Sequence, residues 1–200
     1  VRGLLLSLAI VFAVGARAVE GVDAESILLG MSSPFSGLSG PYGLQMKEGI
    51  EAYFAKVNAA GGVFGRKLAL RALDDGYDTE PAVANAHQLI EKDKVFALIA
   101  FYGSSPSAAV LPVIEAARVP LVGTVSGAGE LRKPDNHYLF NVRASYADET
   151  ASIVQHLTTI GIRRVAVLYQ DDAFGHSGLK GVTEALAQHK LAPVATGSLP

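Results

Sequence analysis

From Ser26 onward, short runs of β-branched and large apolar residues alternate with longer segments in which apolar side chains recur every three to four positions. Consecutive parallel strands need a crossover of about a dozen residues or more, and a helix is what fills it, so this alternation points to βαβ units and a parallel sheet. Strands are expected at Ile27–Met31, Leu68–Leu73, Val95–Ala100, Pro120–Val122, Tyr138–Asn141, Arg164–Tyr169 and Pro193–Thr196. Helices are expected at Gly43–Asn58, Glu80–Lys92, Pro106–Ala117, Ala147–Ile160 and Phe174–Lys190. In the first helix Met46, Ile50, Tyr53, Phe54 and Val57 share one stripe, while Lys47, Glu48, Glu51 and Lys56 fall largely elsewhere, as a helix packed on a sheet requires. Pro112 removes an N–H inside the third, which is therefore expected to kink or to start late.

Composition narrows the class. Hydrophobic residues make up 50% and charged residues 18%, which fits a chain that buries a core and argues against disorder. With no Cys there is no disulfide scaffold, thiolate metal site or Cys nucleophile. A balance of 17 basic against 19 acidic side chains supplies no field for a phosphate backbone, so nucleic acid is not expected as a partner. Arg2, the apolar run Leu4–Val14 and Ala16-Arg17-Ala18 read in order as the basic, apolar and small-x-small parts of a secretory signal over residues 1–18. The apolar run is shorter than the roughly 20 residues that a spanning helix needs. Export without a Cys to carry lipid suits a freely diffusing periplasmic protein. The β/α alternation restarts near Arg143, after a Gly- and Ser-rich loop over Gly123–Asn136. We therefore expect one lobe over residues 19–143 and the start of a second over 144–200, too short to be a complete lobe.

In an open parallel sheet, ligands bind beyond the carboxyl ends of the strands. After the first strand comes Ser32-Ser33-Pro34-Phe35-Ser36-Gly37-Leu38-Ser39-Gly40-Pro41-Tyr42-Gly43, and after the third Phe101-Tyr102-Gly103-Ser104-Ser105-Pro106-Ser107. The second loop combines a Gly, hydroxyls and a Pro at the start of a helix, a pattern that offers free N–H groups to a carboxylate. Thr124-Val125-Ser126-Gly127 offers a further set. A plainer reading has Ser104, Ser105 and Ser107 doing no more than capping a helix. Asp74-Asp75 and Asp171-Asp172 read as turn chemistry rather than as catalytic or metal-holding pairs. The five His show no metal spacing, and Gly61-Gly62-Val63-Phe64-Gly65 reads as a helix stop. Neither a phosphate loop nor a G-x-S-x-G elbow is present. An exported hydrolase thus lacks its main sign, and no enzyme activity or cofactor is expected.

The order of these motifs resembles the branched-chain amino-acid (leucine/isoleucine/valine) substrate-binding proteins of ABC importers. The residues that carry the resemblance are Pro34-Phe35-Ser36-Gly37 with Tyr42-Gly43, Asn58 to Arg66, Asp74-Asp75 with Asp78, Gly103-Ser104-Ser105, Phe140-Asn141-Val142-Arg143 and Asp171-Asp172-Ala173-Phe174-Gly175. The resemblance implies the type I periplasmic binding-protein fold, α/β, with two Rossmann-like lobes and parallel sheets around a hinge, the second lobe truncated in this chain. It implies a small ligand held between the lobes, an amino acid or related carboxylate, and a membrane permease as partner. By position, Ser104 and Ser105 would hold the ligand carboxylate. Val125, Ser126 and Gly127 match the second ligand-holding stretch, where a backbone carbonyl takes the ligand amine. Gly127 stands where the family has a hydroxyl. Tyr42 and Phe174 would line the pocket, Phe174 where the family has Tyr, and the acidic partner of the amine would lie beyond Pro200. A receptor or amide-type sensor domain with the same fold is the alternative role.

Overall fold

The protein, described here from a computed structural model, is traced over residues 19–199. The expected signal at 1–18 lies outside the described residues. Along the chain run β1 (Ser26–Ser33), α1 (Gly40–Ala59), β2 (Lys67–Asp74), α2 (Thr79–His87), β3 (Ala97–Ile99), α3 (Ser104–Ala109), α4 (Leu111–Ala117), β4 (Leu121–Val122), β5 (Leu139–Phe140), α5 (Tyr146–Thr159), β6 (Ala166–Gln170), α6 (Ala173–Gln188) and β7 (Ala195–Leu199). The first five strands form one sheet in the order β2-β1-β3-β4-β5, and β6 pairs with β7 in a second. Every strand pair is parallel. Each strand overlaps a run expected from sequence, though β7 starts two residues later than expected and runs on to Leu199.

The helices depart from expectation in instructive ways. The single helix expected over Pro106–Ala117 is two, α3 and α4, parted at Val110. Pro112 stands in the first turn of α4, where a missing N–H costs no hydrogen bond. In turn α3 starts at Ser104, two residues before the expected start. Beyond α2 the helix widens into a π turn over Gln88–Lys92. The loop expected over Gly123–Asn136 holds a 3-10 turn, Gly129–Arg132.

Two apolar clusters hold the molecule. The larger centres on Leu89, Leu98, Phe101, Val110, Ile114, Leu121 and Leu131, all fully buried, between the five-stranded sheet and its helices. The smaller joins Val154 of α5 to Ala185 and Leu186 of α6. Each Val, Leu, Ile or Phe among them contributes roughly 1.5–3 kcal/mol on burial, before the entropy of ordering the chain is subtracted. Between the clusters the chain crosses over after β5, and Arg132 fastens that crossing. Its guanidinium donates to the carbonyls of Ser126, Ala128, Arg143 and Ala144 at 3.0–3.3 Å. Asn141 ties the same segment by donating to the Leu131 carbonyl at 2.8 Å and accepting the Thr124 hydroxyl at 3.2 Å. The crossover is thus pinned on one side, and the carboxyl ends of β1 to β5 are left facing α5 and α6.

Candidate ligand-binding site

A cleft of about 660 Å³ opens between those strand ends and the face of α5 and α6. Ser39 and Tyr42 follow β1, Tyr77 follows β2, Tyr102, Gly103 and Ser104 follow β3, and Val125 follows β4. Arg143, Tyr146, Glu149, Thr150 and Ile153 come from the crossover and α5. Gln170, Phe174 and Gly178 complete the wall from β6 and α6. Nearly every lining residue stands just past a strand end or in the helix that follows, because parallel strands deliver all their exit loops to one edge.

On the first wall the floor is Ser104. Its hydroxyl meets the Ser126 hydroxyl at 2.8 Å, and Ser126 Oγ also accepts the Ala128 N–H at 3.1 Å. With that lone pair occupied, Ser126 can donate its own proton to Ser104, which leaves the Ser104 O–H free for a ligand oxygen. Ser104 opens α3, where backbone N–H groups have no acceptor within the helix. Because α3 is only six residues long, these direct bonds matter more there than any helix dipole. Gly103 precedes it at φ 94°, a conformation that suits glycine, and a Cβ here would come within 2.5 Å of the Tyr77 ring. Above the floor Tyr42 stacks on Tyr102 with centroids 6.1 Å apart, and Tyr77 meets Tyr102 edge-on at 5.9 Å. Burial pushes the Tyr102 hydroxyl's pKa up, so it remains a neutral donor.

The second wall carries the charge. Arg143 pairs with Glu149 and lies over the Tyr146 ring, 5.3 Å from its centroid. Phe174 meets Tyr146 edge-on at 5.2 Å. Tyr77 reaches across from the first wall and donates its phenol to Asp172 Oδ2 at 3.0 Å. Burial, together with that carboxylate, drives the Tyr77 pKa well above its ordinary value.

Of the residues singled out from sequence, Tyr42, Ser104, Val125 and Phe174 line the cleft. Ser105, Ser126 and Gly127 are not in its lining. Ser126 stands behind Ser104. Gly127 makes room for Tyr146, whose N–H it accepts at 2.7 Å and whose ring a Cβ would meet at 2.4 Å. The Val125 carbonyl already accepts the Gly103 N–H at 3.3 Å and keeps a second lone pair for a ligand. Sequence reasoning did not foresee Tyr77, Tyr146, Glu149 or Gln170. The strand-end rule could have found Tyr77, two residues past Asp75, and Gln170, the last residue of β6. Glu149 puts a carboxylate in the cleft.

The acidic doublets have structural roles. Asp74 accepts the N–H groups of Phe35 and Gly76 at 2.7 and 2.9 Å, and Asp75 accepts the Ser32 hydroxyl and the Tyr77 N–H at 2.7 and 2.9 Å. Burial raises the Asp75 pKa against the pull of those two bonds. Asp172 caps α6, and Asp171 meets His176 at 2.7 Å. Among the described residues, no group of three or more His, Asp or Glu is placed to hold a metal ion.

A parallel sheet in this order, facing a second parallel sheet across a cleft lined by strand-end loops, defines a two-lobed α/β fold with its open edge between the lobes. Residues 26–200 match the family model described as periplasmic binding protein, and the chain belongs to that family. It is similar to an "Amino acid binding protein" of Pseudomonas aeruginosa, 25% identical, with 88% of this chain and 48% of that protein covered. It is also similar to "Leu/Ile/Val-binding protein homolog 7" of Brucella abortus, 28% identical, with 88% and 46% covered. A solved substrate-binding periplasmic protein from Ralstonia solanacearum superposes with a TM-score of 0.83 at 34% identity, over 88% of this chain and 50% of that one. The chain thus has the type I periplasmic fold and spans about half the length of the curated relatives it matches.

Proposed function

We propose that the chain belongs to an ABC importer's solute-binding protein and captures an amino acid of branched-chain type, or a related small carboxylate, in the cleft. Residues 19–143 supply the first ligand lobe and 144–200 contribute to the second, with residues 1–18 directing export to the periplasm and a membrane permease receiving the loaded form. The observation that carries this reading is the distribution of groups around the cleft. Hydroxyl and amide donors at Ser104 face a wall bearing both Arg143 and Glu149, a complement to a ligand that carries a carboxylate and an ammonium. The relatives named for amino acids support it. The ligand binds the first wall, and closure of the second desolvates it, which strengthens every charged contact. The role is capture rather than catalysis, because Ser104 is backed by another hydroxyl and not by a base that could activate it.

A second reading rests on the rings. Tyr42, Tyr77, Tyr102, Tyr146 and Phe174 all line the cleft, a surface on which a flat aromatic carboxylate could stack. Calorimetric titration of the whole solute-binding protein with L-leucine and with 4-hydroxybenzoate separates the two. We expect L-leucine to bind at one site with Kd of about micromolar or tighter, and 4-hydroxybenzoate at least about tenfold more weakly. The reverse order would give the site to aromatic acids, and no heat from either would remove small carboxylates from the account.

A further inference from the structure

We infer that Tyr77 is a positioning residue for closure: its phenol, bonded to Asp172, is a strut across the cleft that biases the two lobes toward the closed arrangement before any ligand arrives. Tyr77 belongs to the first lobe and Asp172 to the second, 95 positions apart in sequence, and the two meet at 3.0 Å. Both ends of the strut are anchored. Tyr77 sits at φ 68°, a left-handed conformation that is costly for a residue with a Cβ. That conformation is held by Asp75, whose buried carboxylate takes the Tyr77 N–H at 2.9 Å and is itself fixed by the Ser32 hydroxyl at 2.7 Å. Gly103 leaves the ring the space it needs, since any Cβ there would collide with it. At the far end Asp172 Oδ1 caps α6 through the Gly175 N–H at 2.9 Å, so Oδ2 is presented to the cleft by the helix itself. Gln170 donates to the same oxygen at 3.2 Å and helps hold its direction. A strained backbone, a buried carboxylate and a helix cap thus converge on one hydrogen bond that neither lobe needs for its own core.

The inference rests on the two-lobe reading and on no choice of ligand, so its test uses none. The chain has no native Cys, and spin labels can be placed through Cys at Glu48 on α1 and Gln155 on α5, both exposed. Dipolar distance measurement on the ligand-free protein reads the ratio of short to long interlobe separations. Tyr77→Phe keeps the ring and loses only the phenol oxygen, and should lower that ratio about tenfold, the worth of one bond to a charged acceptor. Asp172→Ser keeps a good helix cap but is too short to reach Tyr77, and should give the same shift. The double variant should go no further than either single change, because both remove one contact. Distance distributions that overlay the parent's in both single variants would overturn the inference, as would additive shifts in the double variant. A general loss of structure in Tyr77→Phe alone would leave Asp172→Ser to decide. Failure here leaves the ligand titrations untouched, and a protein that binds neither acid can still show the strut.

Discussion

Ser104 and Ser105 are neighbours in sequence, yet only Ser104 lines the cleft. Successive residues on a helix point about 100° apart, so one hydroxyl of the pair can face a ligand while the other faces away. The sequence marks the loop but not which serine, because that depends on where α3 begins, and it begins two residues before the expected position. Ser104→Ala should therefore weaken ligand binding about tenfold to hundredfold, the loss of one bond to a charged group, while Ser105→Ala stays near the parent. Titration of both variants with L-leucine checks it, and equal losses would contradict the geometry. The ring cluster was less legible still. Tyr42, Tyr77 and Tyr102 each end a different βα unit, and only the strand order brings them together.

Among the elements, α5 forms much of the second wall, and its start is fixed locally. Ser145 accepts the Asp148 N–H at 3.0 Å while Asp148 accepts the Ser145 N–H at 3.3 Å, a capping box that turns Tyr146 and Glu149 toward the cleft. The Ser145 hydroxyl also donates to Asp148, and these bonds hold the Asp148 carboxyl below its usual pKa. A depressed folded-state pKa contributes stability that is present above the unfolded value near 3.8 and lost as pH falls through the folded value. Ser145→Ala should cost about 1 kcal/mol at neutral pH. Denaturant unfolding across pH should show that difference shrinking below about pH 4, and a difference that grew on acidification would contradict the assignment. Element boundaries were legible where local chemistry sets them, as with Pro112 at the start of α4. They were less legible in β7, expected over Pro193–Thr196 and found over Ala195–Leu199, whose extent is set by its pairing with β6.

On the scale of the whole molecule, the alternation of strands and helices revealed the parallel sheets and the edge at which a ligand would gather. It did not reveal the contact of Tyr77 with Asp172 across the cleft, since that follows from how the second sheet is turned against the first. The space between the two sheets is the proposed ligand site. Gly178 on α6 lines that space, and a Cβ built there meets no atom within 4 Å. Gly178→Phe would fill the cleft from a helical position where glycine is a poor helix former, so the fold should be unharmed or slightly more stable. The most direct test is calorimetric titration of Gly178→Phe, beside a thermal melt, with whichever of L-leucine and 4-hydroxybenzoate the parent binds more tightly. Binding should weaken at least about hundredfold with an unchanged or higher melting temperature. Parent-like affinity in a folded Gly178→Phe protein would place the ligand elsewhere and contradict the proposed site.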